Sequence, residues 1–176
     1  MRGGLFWLAV AATLGGIVHL AAMLVIPSLA PKSAYSRFEA SIEPNRATVM
    51  GPALPDDPAF PFASPDLVYV LCRYDVAERP LRFVASLPNT YWSLGLFEPD
   101  GGNFYHTNSM QSPTGQPDLV LVGRGQELET GTDLAVTEAT SPRGLIMLRI
   151  FLRDRTLAPT MKRAAANASC AGFDIG

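Results

Sequence analysis

The chain has few of the groups on which most protein chemistry depends. Among its 176 residues there are two histidines and two cysteines, too few for a zinc finger, a di-metal centre or a cysteine-rich scaffold. Positive charge is not in excess either. The 14 Lys and Arg against 16 Asp and Glu leave a formal net charge of −2, so the basic footprint of a nucleic-acid-binding surface is missing and no DNA or RNA partner is expected. No G-x-S-x-G elbow occurs, and Gly123-Arg124-Gly125 is a bare G-x-G with no helix start behind it, which marks a turn rather than a phosphate cradle. Glu127, Glu129 and Asp133 are too loosely spaced for a calcium loop and read as a solvated loop. The expectation is therefore no metal and no cofactor. Apolar residues, by contrast, are plentiful. A composition 48% hydrophobic and only 17% charged excludes disorder and can bury a core of about one domain's size.

Charge is absent altogether from Gly3 to Pro31, where His19, Thr13 and Ser28 are the main polar interruptions. A bilayer core needs about 20 helical residues at 1.5 Å each. Leu5 to Ile26 supplies that length, and Pro27 is a natural stop. The stretch predicts a single transmembrane helix, with the lipid bilayer as partner of residues 5–26. A cleaved secretory signal is the alternative, because Ser28-Leu29-Ala30 has the small residues a peptidase favours. Pro31 directly after the cut and the length of the apolar stretch argue against it. Orientation evidence is divided. Arg2 before the helix against Lys32, Arg37 and Arg46 after it favours a cytoplasmic domain. The very short N-terminal tail, the signal-like layout and the cysteine pair favour an outward one. The outward orientation is the expectation, with the remainder of the chain in the periplasm. His19 shares a helical stripe with Ala12, Gly15 and Ala22. Small residues on that face let a second helix approach, with a hydrogen bond from His19, whereas the plainer reading is a neutral imidazole tolerated in an isolated anchor.

Eight of the 15 prolines lie between Pro27 and Pro65, which excludes long regular structure there. Ser36-Arg37-Phe38-Glu39 fits a capping box, and Tyr35, Phe38 and Ile42 would share one face of a short helix at the membrane surface. Pro52 to Pro65 reads as an extended arm in which Phe60 and Phe62 can pack on the domain C-terminal to it. The expected organisation is an anchor over 1–31, a proline-rich linker over 32–65 and a β-domain over 66–176.

From Asp66 the pattern becomes short apolar runs separated by Gly, Pro, Asn and Asp, which predicts a mainly β fold, an antiparallel sandwich or barrel-like domain with a C-terminal helix. Seven strands are expected: Leu67–Tyr74, Leu81–Leu87, Tyr91–Phe97, Asn103–Asn108, Leu119–Val122, Asp133–Glu138 and Leu145–Leu152. Pro99-Asp100-Gly101-Gly102 marks a hairpin, because its glycines supply positive φ. Period-two alternation places Ile146, Leu148, Ile150 and Leu152 on one face, with Trp92, Leu94 and Leu96, and Val68, Val70 and Cys72, forming matching sets. The opposite faces are also largely apolar, so these read as central strands covered on both sides. A helix over Thr156–Ser169, capped by Thr156, is the expected cover for the second face.

Cys72 and Cys170 form an even pair that reads as a disulfide if the domain is exported and as two inert thiols if it is cytosolic. Arg73, Asp75 and Arg149 are charges in apolar strands. They either line a ligand pocket or pair with one another at a sheet edge. His106, flanked by Tyr105, Thr107 and Asn108, is a further candidate ligand-binding residue, more in keeping with a surface or hydrogen-bonded histidine than with a catalytic base. Asn167-Ala168-Ser169 matches the glycosylation sequon, a frequent accidental match.

The runs Asp66-Leu67-Val68-Tyr69, Arg73-Tyr74-Asp75-Val76, Leu87-Pro88-Asn89-Thr90-Tyr91-Trp92-Ser93-Leu94 and Gly102-Asn103-Phe104-Tyr105 resemble a bacterial family called domain of unknown function 1254. The likeness covers most of the chain. It implies a short N-terminal membrane segment, a compact β-domain, and an alanine-rich terminal helix followed by a cysteine, here Ser169-Cys170. Longer relatives carry a second uncharacterised domain, and their Asn-Arg-Asp-Thr-Leu-Tyr opening is Ser64-Pro65-Asp66-Leu67-Val68-Tyr69 here. The family brings no accepted catalytic residues. The expectation is a membrane-anchored cell-envelope protein, a non-catalytic module for a protein partner or small ligand. The alternative is an envelope hydrolase using His106, Asp75 and Arg73.

Overall fold

The computed structural model describes residues 2–29, 34–52, 63–126 and 134–173. In chain order the elements are helix α1 (Arg2–Leu29), short helix α2 (Ala34–Phe38), strands β1 (Thr48–Met50), β2 (Leu67–Asp75), β3 (Leu81–Val84), β4 (Trp92–Phe97), β5 (Asn103–Asn108), β6 (Asp118–Val122), β7 (Ala135–Glu138) and β8 (Arg143–Phe151), helix α3 (Ala158–Ala165) and strand β9 (Ser169–Gly172). Residues 1–32 and 33–176 form two separate compact units.

The first unit is α1. Leu, Ile, Val, Met and Ala fill it, with no acidic residue in its first turn and no basic one in its last. Over Gly3–Ile26 it is long and apolar enough to cross a membrane, and none of that stretch is buried within the protein. The Thr13 hydroxyl donates to the Ala9 carbonyl at 2.9 Å, which satisfies it inside the helix.

The second unit holds two sheets. The larger is five-stranded in the order β1-β2-β8-β4-β5, and the smaller is four-stranded in the order β7-β6-β3-β9. The larger is antiparallel throughout. The smaller is mixed, because β6 and β7 run parallel, Leu119 opposite Ala135 through Val122 opposite Glu138, a departure from the all-antiparallel expectation. Among the described residues no strand ladder joins the two sheets. Each of the seven expected strands is present, though β3 ends at Val84 rather than Leu87, and β1 and β9 are additions at sheet edges. Asp133, the expected start of β7, together with Glu127, Glu129, Phe60 and Phe62, lies outside the described residues.

Alternation determines the core as expected. Val68, Val70 and Cys72 of β2, Trp92, Leu94 and Leu96 of β4, and Ile146, Leu148 and Ile150 of β8 join Leu81, Phe83, Leu119 and Leu121 of the smaller sheet in one buried cluster. The hairpin between β4 and β5 also forms. Gly101 has φ +99, and Glu98 N–H donates to the Gly102 carbonyl at 2.8 Å. Cys72 and Cys170 are joined as a disulfide with Cα atoms 6.4 Å apart, tying β2 of one sheet to β9 of the other.

Several local expectations need correction. The terminal helix is only Ala158–Ala165, and the chain from Ser169 pairs as a strand with β3, Ser169 opposite Val84 and Gly172 opposite Leu81. An alanine-rich run favours helix, but the unpaired edge of β3 offers hydrogen bonds that local propensity does not foresee. Asp154, not Thr156, caps the 3-10 turn ahead of α3, its carboxylate accepting from Thr156 N–H at 2.8 Å. Nor does α3 cover the second face of the larger sheet, since its buried side chains Met161 and Ala165 belong to the shared core. Around Leu71 and Leu145 that second face is covered by Phe38 and Ile42, both 3% exposed, while farther along it Arg149 and Phe151 are exposed. The apolar face of Tyr35, Phe38 and Ile42 exists as the spacing predicts, but its cover is protein. Ser36 lies within α2 rather than at its cap.

Candidate functional site

Strand register places the four candidate residues. Arg73 pairs with Leu145, Arg149 with Tyr69 and Ser93, Gly95 with both Met147 and His106, and Asp75 with Arg143. Directly opposed residues share a face. Arg73, Asp75, Arg149 and His106 therefore all belong to the face turned away from the shared core, in different rows.

Only two of the four meet. Arg73 and Asp75 line a cleft of about 260 Å³ together with Tyr35, Glu39, Pro44, Tyr74 and Arg143. Residues 39–45 fold back to form its wall. Asn45, at φ 55, accepts from Asp75 N–H at 2.7 Å and donates to the Asp75 carbonyl at 3.0 Å, while its own N–H donates to the Arg73 carbonyl at 2.7 Å. Asparagine tolerates this left-handed backbone better than most residues do. The Arg73 guanidinium donates through Nη1 to the Glu39 carbonyl and sits 5.8 Å from the centre of the Tyr35 ring. Arg143 Nε donates to Asp75 Oδ2 at 2.8 Å, and Ala77 N–H donates to Asp75 Oδ1 at 3.1 Å.

The charges settle accordingly. Partial burial pushes the Asp75 carboxyl up, but the Ala77 N–H and the Arg143 guanidinium outweigh it and hold the group below the usual carboxylate range. Burial, and then the nearby charges of Glu98 and Tyr35, push the Tyr74 phenol up and keep it protonated. Arg73 Nε is buried without a hydrogen-bond partner at the cleft, whereas the equally unpartnered Tyr74 hydroxyl points to the opposite face of β2, into the shared core beside Gly144. Buried polar atoms of this kind are uncommon and costly, about 1–3 kcal/mol each, and at Arg73 an acceptor brought by a ligand relieves that cost. Among the described residues, no histidine, cysteine, serine or lysine lines the cleft.

His106 and Arg149 stand apart from it. His106 is exposed on edge strand β5, three strands from β2, which is about 14 Å at the usual inter-strand spacing. The combination of His106, Asp75 and Arg73 on which a hydrolase would rest is not assembled. Arg149 is exposed, and its Nε donates to Met147 Sδ at 3.4 Å. Ala12, Gly15, His19 and Ala22 are all exposed on α1. No group of three or more His, Cys, Asp or Glu is placed to hold a metal ion among the described residues. Sequence reasoning missed Tyr35, Glu39, Tyr74 and Arg143. Tyr74 is adjacent to Arg73, but the other three reach the cleft only through the fold-back and the β2–β8 register, which leave no short-range signal.

Comparison with known proteins adds a family and a fold. No curated protein matches the chain. The VPA0106 protein from Vibrio parahaemolyticus is similar in structure, with a TM-score of 0.63 at 16% identity over 80% of this chain and 34% of that one. An uncharacterised protein from Burkholderia cenocepacia gives a TM-score of 0.52 at 15% identity over 94% of this chain and 50% of that one. The chain thus spans about a third to a half of these two structures, and the likeness is one of fold. The family model described as Protein of unknown function (DUF1254) matches residues 44–171, a stretch that holds both sheets, the disulfide and most of the cleft, and the chain belongs to that family.

Proposed function

We propose that this is a single-pass protein of the bacterial inner membrane whose β-domain faces the periplasm and acts as a non-catalytic binding module of the cell envelope. The observation that carries the reading is α1. An apolar helix with no side chain over Gly3–Ile26 buried in its own protein needs an apolar solvent, and a bilayer is that solvent. The Cys72–Cys170 disulfide supports export, because such bonds persist in oxidising compartments and are rare in cytosol. The binding site in this reading is the Arg73–Asp75–Arg143 cleft, where an incoming acceptor would satisfy Arg73 Nε. On α1, the Ala12, Gly15, His19 and Ala22 stripe is the face offered to a partner helix.

Thiol labelling of intact cells against lysed and reduced cells tests the topology. Both cysteines should resist a membrane-impermeant maleimide until reductant is added. Free thiols that react only after lysis would place the domain in the cytosol. N-terminal sequencing of mature protein should recover an uncleaved anchor, and a start at Pro31 would replace it with a signal peptide. The stripe predicts that His19→Leu reduces cross-linked oligomer in membranes, while an unchanged ladder would remove the helix-packing role.

A further inference from the structure

A second cavity lies where the two sheets part. It has a volume of about 350 Å³, and its walls come from Trp92 and β5 of the larger sheet, from Asp118 and Ala135 of the smaller one, and from the loop after β5. That size is at the low end of the about 300–1,000 Å³ usual for small-molecule sites.

The loop wall is built rather than loose. Trp92 Nε1 donates to the Gly115 carbonyl at 2.9 Å, and Gly115 takes φ +69 to present it. The Gln116 carboxamide accepts from Leu87 N–H at 2.7 Å and donates to the Leu87 carbonyl at 3.1 Å, and the Ser112 hydroxyl donates to the Gln116 carbonyl at 2.7 Å. A wall held this way needs little ordering when a ligand arrives.

Three side chains around the cavity enter none of these bonds: the Tyr105 and Thr107 hydroxyls and the Gln111 carboxamide. Strand alternation turns Tyr105 and Thr107 inward, because they pair with the buried Leu96 and Leu94. Among the described residues the one charged lining group, Asp118, is held by Arg82 through two bonds, Nε to Oδ1 at 2.9 Å and Nη2 to Oδ2 at 2.7 Å. Its charge is matched and its plane is fixed, which leaves an oriented acceptor for a hydroxyl rather than a counter-ion for a cation.

We infer that this inter-sheet cavity is a binding site for a neutral sugar unit, with the Tyr105 and Thr107 hydroxyls, the Gln111 amide and the Asp118 carboxylate meeting its hydroxyls, and with the buried Trp92 beneath them reporting on the loop wall through its bond to Gly115. The site is separate from the arginine cleft and does not depend on that reading.

The test uses the full chain in a zwitterionic detergent without a sugar head group. The probes are glucose, galactose and N-acetylglucosamine, with gluconate and glucosamine as charged counterparts. The readout is the indole N–H resonance of Trp92, distinguished from that of Trp7 in a Trp7→Phe background. The expected result is a saturable shift with at least one neutral sugar, with binding in the millimolar range. It should be about tenfold weaker in the double variant Tyr105→Phe, Thr107→Val, as loss of two hydrogen bonds implies, and unchanged in Arg143→Ala. If the double variant loses its dispersed spectrum, exposed Gln111→Ala takes its place with the same expected direction. No saturable shift with any of the three sugars overturns the inference. So does equal or tighter binding of gluconate or glucosamine, and so does sugar binding that the cavity variants leave unchanged.

Discussion

Strand β2 has two faces that do different work. Its inward residues Val68, Val70 and Cys72 enter a cluster drawn from both sheets and tied by the disulfide. Its outward residues Leu71, Arg73 and Asp75 meet a much smaller cluster, then a cleft that holds charge and one unpartnered donor, Arg73 Nε. The inner face is a long-range, redundant packing of many side chains, while the outer face depends on one short fold-back, residues 34–46. The contrast teaches that redundant packing and a charged cleft are divided between the two sides of a single strand.

The largest test of that division is on the inner face. Cys72→Ser with Cys170→Ser opens a loop with a sequence separation of 98, and urea unfolding should show a loss of up to about 4.7 kcal/mol on the chain-entropy model. Leu148→Ala, at a fully buried inner position, should cost about 2–5 kcal/mol by the same measurement. Phe38→Ala on the outer face should give the opposite pattern. Amides of residues 34–46 exchange faster, while the sheets keep more of their unfolding free energy than in Leu148→Ala. Equal global losses would break the distinction between the faces. Gly144→Ala comes next. A Cβ there meets the Phe97 carbonyl and the Tyr74 hydroxyl, and overpacking of this kind costs about 1–3 kcal/mol.

The smallest effect is electrostatic. The Asp75 carboxyl is held low in the folded protein, so its contribution is fully present above the ordinary carboxylate pKa of about 4 and is lost as pH falls through its lower folded value. Unfolding curves of the wild type and Arg143→Ala should therefore differ at neutral pH and converge in acid. A difference that persists at pH 2 would mean that Arg143 acts through packing rather than through Asp75.

Legibility in the sequence divides along the same two faces. The inner face was legible because period-two alternation reports which side of a strand is apolar, and β2, β4 and β8 alternate clearly. The turn at Gly101 and the cysteine pair were equally accessible. Alternation does not report which strand lies alongside which, so the division into two sheets and the parallel β6–β7 pair were not visible. Edge strands of three and four residues such as β1 and β9 are too short to show a period. Of the cleft, Arg73 and Asp75 stood out as charges in an apolar strand. Their partners Tyr35, Asn45 and Arg143 come from 28 to 68 residues away, and only the folded chain brings them near.

The covalent link between Cys72 and Cys170 also makes most of the β-domain a closed ring. A protease that nicks the backbone once inside that ring, at any exposed turn between the two sulfurs, releases nothing. The cut chain still migrates as one molecule on a gel until a reductant separates it. A single scission is then a survivable injury, since both fragments stay covalently joined and can remain packed together.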